Sequence, residues 1–204
     1  MSENQVDGRT LRYQHRRPEL LQAATRYVLD HGVGDLTLRS LAPALGVSHV
    51  TVMRHFGTVE ALLTEILTAM LAEFRAWLRS LDASETDSGA ELLRAVWRHL
   101  CRPEAQRQFL LLFELAAATR QATDPPTIPP QALVHDGLDV FGEALVHHGW
   151  PPDTAAQAAT LILAQIRGLQ IDLLITADRR RVDQAFEMLL TMLVEAGLDR
   201  AHAR

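Results

Sequence analysis

The stretch from Asp35 to Phe56 reads as two short helices joined by a tight turn, and it restricts the fold more than any other part of the chain. Thr37 is a good N-cap, because its hydroxyl can accept a bond from a first-turn N–H that the helix itself leaves unpaired. Leu38, Leu41, Ala42 and Leu45 follow at helical spacing. Gly46 can take the left-handed conformation that ends a helix sharply. Val47 then plugs the core, and Ser48 caps a second helix whose apolar positions are Val52, Met53 and Phe56. That spacing leaves His49, Thr51, Arg54 and His55 facing outward. An ordinary helical hairpin shares these parts. In a helix-turn-helix the second helix lies in the DNA major groove, and residues near its start reach base edges.

The preceding segment, Pro18 to His31, has Leu20, Leu21, Ala24, Tyr27, Val28 and His31 on or near one helical face. Pro18 suits a first helical turn, and Gly32 and Gly34 end the helix. The polar arm before it, Met1 to Arg17, reads as a tail or as a basic arm that follows the DNA backbone. In the second reading Arg16 and Arg17 are the residues best placed to act. Three short helices of this kind make a unit of the size of a DNA-reading head.

At 204 residues and 48% hydrophobic side chains, the chain can bury a sizeable core. Ala and Leu are abundant and no run alternates β-branched residues, so the expected class is all-α. Charges such as Glu65, Glu73, Arg167 and Asp172 interrupt the apolar runs, and no membrane-spanning stretch is expected. The polar N-terminus lacks an apolar signal core. One cysteine, Cys101, excludes an intrachain disulfide framework and fits a reducing compartment. The expectation is a cytoplasmic protein. The net charge of −5 argues against a sequence-blind nucleic-acid binder. Residues 1–59 nevertheless hold seven arginines against five acids, a net of +2, which leaves −7 for the remainder. A basic head on an acidic body suits a protein that presents one end to DNA.

The run from Leu20 to Leu63 resembles the DNA-binding domain of the TetR-type (tetracycline-repressor-like) transcriptional regulators. The resemblance lies in Ala23-Ala24, Gly32, Leu36-Thr37, Leu41-Ala42, Leu45-Gly46-Val47-Ser48, Thr51, His55-Phe56 and Glu60-Ala61-Leu62-Leu63. It covers the first third of the chain. It implies an all-α fold of about nine helices, with a three-helix helix-turn-helix head in residues 1–57 and a larger ligand-binding and dimerisation body in 58–204. It also implies a homodimer through the last two helices, which reads a near-palindromic double-stranded operator, usually as a repressor. Carried onto this chain, the family pattern assigns base-edge contact to Arg39, His49, Thr51 and Arg54, and phosphate contact to Ser48, His55 and Thr37. Met53 stands where the family usually has an aromatic, and Val59 where it usually has Lys; both positions normally touch phosphates. Their loss implies weaker binding with a flatter salt dependence. An alternative reading follows, a family member with weak autonomous DNA affinity that acts through a protein partner. Pro43 also removes a backbone donor from the first of the two helices.

The rest of the chain reads as further helices. A long one spans Thr58 to Leu81, followed by a loop from Asp82 to Gly89, a helix from Ala90 to Cys101 and another from Pro103. Arg120 to Pro130 holds four prolines and is a loop. A seventh helix runs to about His148, and the last two span about Asp153 to Thr176 and Arg179 to Gly197. Gly168 in mid-helix costs about 1 kcal/mol relative to Ala, and a close helix crossing explains it. Regulators of this type usually sense a small molecule. Phe74, Trp77, Trp97, Phe113 and Phe141 are candidates to line a largely apolar effector cavity, and equally to form packed core. Glu114 and His135 are polar residues in apolar stretches, where a buried group needs a partner, and join the candidates. An enzyme has no residue set behind it. There is no glycine-rich phosphate loop, nucleophile elbow or paired Cys motif, and no metal or cofactor is expected.

Overall fold

The computed structural model describes residues 8–82, 88–121, 130–147 and 150–198. The described residues form nine helices and no strand: α1 (Gly8–His31), α2 (Leu38–Ala44), α3 (His49–Phe56), α4 (Val59–Asp82), α5 (Gly89–Leu100), α6 (Pro103–Gln121), α7 (Pro130–His147), α8 (Pro152–Thr176) and α9 (Arg179–Ala196). The all-α expectation holds, and most boundaries fall within a residue or two of the expected ones. One does not. Helix α1 starts at Gly8, which places Pro18 inside the helix instead of in its first turn. The residues ahead of Pro18 include Leu11, Gln14 and several Arg, which favour helix, and the proline deletes only one donor. Residues 8–17 are therefore helix where an arm was expected; residues 1–7 of that arm lie outside the described residues.

The chain divides into two compact units. The first gathers the residues up to Met70 with the second half of α6 from Leu111, and the second holds the remainder from Leu71. Helices α4 and α6 thus contribute a half to each. The core of the first unit takes Leu20, Ala24 and Val28 from successive turns of α1, with Leu41 of α2, Val52 and Phe56 of α3, and Leu62 and Ile66 of α4.

The core of the second unit is built around Val96, Trp97, Phe141, Ile162, Ile166, Val182, Phe186 and Leu190. Trp97 stacks on Phe186 with ring centroids 4.9 Å apart, and its indole N–H donates to Asp183 Oδ1 at 2.7 Å. Arg94 of α5 reaches Glu187 of α9 at 2.9 Å, so α5 is joined to α9 by both apolar and charged contacts. After α9 the chain folds back, and a Cβ on Gly89 would meet Leu198 at 3.0 Å, so only glycine fits that approach without displacing the leucine.

Helix α8 is less interrupted by charge than expected, though the test it passes is one of length and composition that core helices also meet. It is the one described helix long and apolar enough to cross a membrane, with mean hydropathy 1.5 over its best window. Arg167 and Asp172 do not interrupt it enough to prevent that. Its apolar residues divide between a buried face (Ala155, Ala159, Ile162, Ile166, Leu173) and an exposed one (Leu161, Ile175). Among the described residues no helix makes the expected close crossing at Gly168, since none of their atoms lies within 4 Å of a Cβ built there.

Candidate functional site

The turn between α2 and α3 is built as its residues dictate. The Thr37 hydroxyl accepts the Ser40 N–H at 2.9 Å, and the Thr37 N–H donates to Ser40 Oγ at 3.0 Å, a reciprocal cap. Helix α2 keeps its form although Pro43, in its last turn, has no N–H to give to the Arg39 carbonyl. At its end Gly46 takes φ +65°. The Gly46 N–H donates to Pro43 O at 3.1 Å and the Val47 N–H to Ala42 O at 3.2 Å, which is the paired bonding of a Schellman stop. Ser48 then starts α3, its Oγ accepting the Thr51 N–H at 3.2 Å. These bonds fix the angle between the two helices, and with it the direction in which α3 presents its side chains.

Helix α3 buries Val52, His55 and Phe56. Its other face carries Val50, Met53 and Arg54, all exposed, with His49 and Thr51 half-buried at the edges. Thr37, Arg39 and Ser48 are exposed nearby in the chain. From Leu36 to Val59 there is no carboxylate, while Arg39 and Arg54 are cationic. An acid-free segment with two exposed guanidinium groups, one on α2 and one on α3, suits a polyanion.

Two expectations about this surface are overturned. His55 was expected to face outward and touch phosphate, but it is only 7% exposed. The helical period places residue 55 with Val52 and Phe56, on the inward side. Burial holds the imidazole below its ordinary pKa, and Arg54, Arg17 and Arg16 push in the same direction, so the neutral form is favoured. Met53 was expected inside and lies outside. Arg17 is not an arm residue either. It donates to Glu65 Oε1 at 2.5 Å and to the His55 carbonyl at 3.4 Å, and its guanidinium lies 5.9 Å from the centre of the Phe56 ring. It ties α1 to α3 and α4 within the first unit. Arg16 stays exposed.

The second unit holds a cavity of about 530 Å³ between α4, α5 and α7. Leu78, Leu92, Leu93, Val96, Phe141, Leu145, Ile162 and Leu198 give it apolar walls. Charge enters as an i, i+4 pair of arginines on α4, Arg75 and Arg79, and an i, i+4 pair of acids on α7, Asp139 and Glu143, with His147 beyond. The size is that of a site for one small molecule.

Of the candidate cavity residues, Phe141 lines this space. Trp97 is core, held by Phe186 and Asp183. Trp77 stacks on His99 at 3.9 Å and Phe74 lies 5.8 Å from the same ring, forming an aromatic cluster of their own. Burial also holds the His99 imidazole below its ordinary pKa, with Arg102 adding to the effect. His135 and Phe113 are exposed. Glu114 belongs to the first unit, where it accepts the Val33 N–H at 3.4 Å beside Gly32. Cys101 is buried, and burial pushes its thiol up to about 11, so it is inert at neutral pH. Sequence reading missed Val50, Arg75, Arg79, Asp139 and Glu143. The paired i, i+4 charges on α4 and α7 were the available signal, but solvated helix faces look the same.

Residues 20–66 match the sequence model of the bacterial regulatory proteins, tetR family. The chain is 34% identical over 77 residues to the HTH-type transcriptional repressor KstR2 of Rhodococcus jostii, and this match spans 38% of the chain and 38% of that relative's length. Solved structures are similar over far more of the chain. A TetR-family regulator from a Rhodococcus species superposes with a TM-score of 0.68 at 20% identity, covering 91% of this chain and 99% of that one. A TetR regulator from Legionella pneumophila gives 0.70 at 12% identity, over 95% and 98%. The FadR regulator of Bacillus subtilis, solved with stearoyl-CoA, gives 0.57 at 17% identity, over 87% and 97%. At these identities the structural likeness bears on the fold alone.

Proposed function

We propose that this chain, whose head in residues 20–66 belongs to the tetR family of bacterial regulatory proteins, is a ligand-responsive transcriptional repressor that binds a near-palindromic operator as a homodimer. The observation that carries the reading is the capped, acid-free α2–α3 face, with Arg39 and Arg54 exposed on it. Arg39, His49, Thr51 and Arg54 are the residues assigned to base edges, and Ser48 and Thr37 those assigned to phosphate. Either arginine can bond a guanine bidentately, worth about 1–3 kcal/mol of discrimination. The buried His55 supports the helix from behind.

Dimerisation through α8 and α9 is supported by apolar side chains that no described residue covers. Leu161, Gly168 and Ile175 repeat every seventh residue along α8, all exposed, with Ile175 at 77%. Met188 and Met192, four residues apart on α9, are exposed as well, Met188 at 69%. Such a stripe on paired helices suits a symmetric four-helix contact. The cavity of the second unit is the effector site in this reading. Its apolar walls favour a largely apolar molecule, and the stearoyl-CoA held by the similar FadR structure makes long-chain acyl compounds the first to try. An effector that binds the body more tightly in a conformation unfit for the operator shifts the population away from DNA. The protein then works in the cytoplasm, where the DNA is.

Met53 and Val59 favour a second reading, weak autonomous DNA binding rescued by a protein partner. Selection of bound sequences from a random DNA pool, at low and at physiological salt, separates the two. Recovery of a near-palindrome supports the dimeric reader. No enrichment at either salt by folded dimer leaves the partner-dependent form.

A further inference from the structure

We propose that Val50 and Met53 are specificity residues of α3, which seat the C5-methyl groups of thymines in the operator, Met53 in place of the phosphate contact that the aromatic usual at its position makes. The inference rests on the reading of α3 as the DNA-facing helix and names the bases that helix selects. Val50 is 65% exposed and Met53 47%, whereas the other apolar residues of the same helix, Val52 and Phe56, are at most 3% exposed. An i, i+3 pair lies on one side of a helix, so the two side chains form a single apolar patch. Among the described residues, none covers it. It belongs to the segment from Leu36 to Val59, which carries Arg39 and Arg54 and no carboxylate, and this matches the charge of DNA and not that of a basic partner.

The chemistry narrows the occupant further. An isopropyl group neither donates nor accepts a hydrogen bond, so it cannot read the polar edges of the major groove. Thymine alone carries an apolar group there. A cytosine or guanine in the same place would lose water from its amino group or carbonyl and gain no bond in return. The Ser48 and Thr51 hydroxyls lie 2.9 Å apart in a hydrogen bond to one another, and Ser48 also accepts the Thr51 N–H, which leaves one O–H of the pair for DNA. Helix α3 therefore adds apolar contact at Val50 and Met53 to the polar contacts assigned to His49, Thr51 and Arg54.

The test uses the full-length protein and the duplex recovered by random-pool selection. Each thymine is replaced in turn by deoxyuridine, which deletes the methyl and leaves every hydrogen-bonding group in place. Each half-site is expected to contain at least one thymine whose replacement weakens binding about fourfold, and about 15-fold when both half-sites are altered. Val50→Ala or Met53→Ala is expected to erase the penalty at its own thymine and to leave the salt slope unchanged, because no charge is removed. Three results overturn the inference: half-sites selected without thymine, deoxyuridine changes below about twofold, or penalties that persist in both variants. Absence of any sequence-selective binding sinks the DNA-reading function itself, and the inference with it.

Discussion

Gly168→Ala separates the fold of the chain from its assembly, because it is expected to move the two in opposite directions. Gly168 lies inside α8 on its exposed face, and a Cβ there meets no atom within 4 Å. For the single chain the substitution is favourable by about 1 kcal/mol, the ordinary cost of a helical glycine. Between two copies the sign reverses. If the stripe of Leu161, Gly168 and Ile175 is where two α8 helices cross, each copy brings an extra methyl into the narrowest point. Overpacking of that kind costs about 1–3 kcal/mol, which weakens dimerisation by about 5- to 150-fold. Sedimentation velocity across a dilution series gives the dimer constant, and urea unfolding below that constant gives the stability of the separate chain. The expected pair is a weaker dimer built from a more stable protomer. A dimer constant that is unchanged or tighter in the variant would refute the crossing at Gly168 and require another explanation for the glycine.

Arg17→Met is expected to lower the stability of the first unit by roughly 1 kcal/mol, since it loses the Glu65 pair and the Phe56 contact at a partly exposed site. That corresponds to about 2–4 °C in the melting temperature; an unchanged melt with weakened operator binding would instead return Arg17 to a phosphate-contacting role. Stability should also fall on acidification. His55 and His99 are held below their ordinary pKa in the fold, so the unfolded chain binds more protons, and stability is lost as pH drops below about 6.5 towards the folded values. Urea midpoints at neutral and mildly acidic pH check this, with His99→Gln expected to flatten the slope and a rise in stability on acidification contradicting it. Ala144→Trp places an indole in the cavity wall. It is expected to abolish the thermal shift produced by any effector, with stearoyl-CoA and free fatty acids as first probes, while operator binding persists; retained effector binding would place the site elsewhere.

The helix-turn-helix was legible because its constraints are local. Thr37, Gly46 and Ser48 act through bonds to residues three to five positions away, so their roles can be read from spacing, and the structure shows those bonds. Helix ends in the body were legible for the same reason. The effector cavity was not. Trp97, Phe74 and Trp77 have the composition of a binding site, but their neighbours (Asp183 and Phe186 for the first, His99 for the others) come from distant parts of the chain. Glu114 shows the limit most clearly. A polar residue in an apolar run was taken to point into a cavity, and its partner is a backbone N–H eighty-one positions earlier. Pattern identifies a group that needs a partner; it does not identify the partner.

The residues where periodicity misleads share a property. Met53 was assigned inward because it is apolar, and His55 outward because it is polar, yet the structure reverses both. On a free-standing protein the exchange would be unfavourable, since an apolar side chain gains from burial and an imidazole loses hydration by it. Local rules broken without compensation inside the chain point to compensation outside it. On α3 the outside partner is the thymine-bearing groove, and on α8 and α9 it is a second copy of the chain. Both assignments start from the same observation, exposed apolar side chains on helices whose other faces are fully packed. They differ in surroundings. The α3 patch belongs to a segment that carries Arg39 and Arg54 and no acid, which repels a second identical segment and attracts a polyanion. The α8 and α9 stripes, with Gly168 at their centre, carry instead what a close helix crossing requires. Charge beside the patch, rather than the patch itself, decides which partner each face takes.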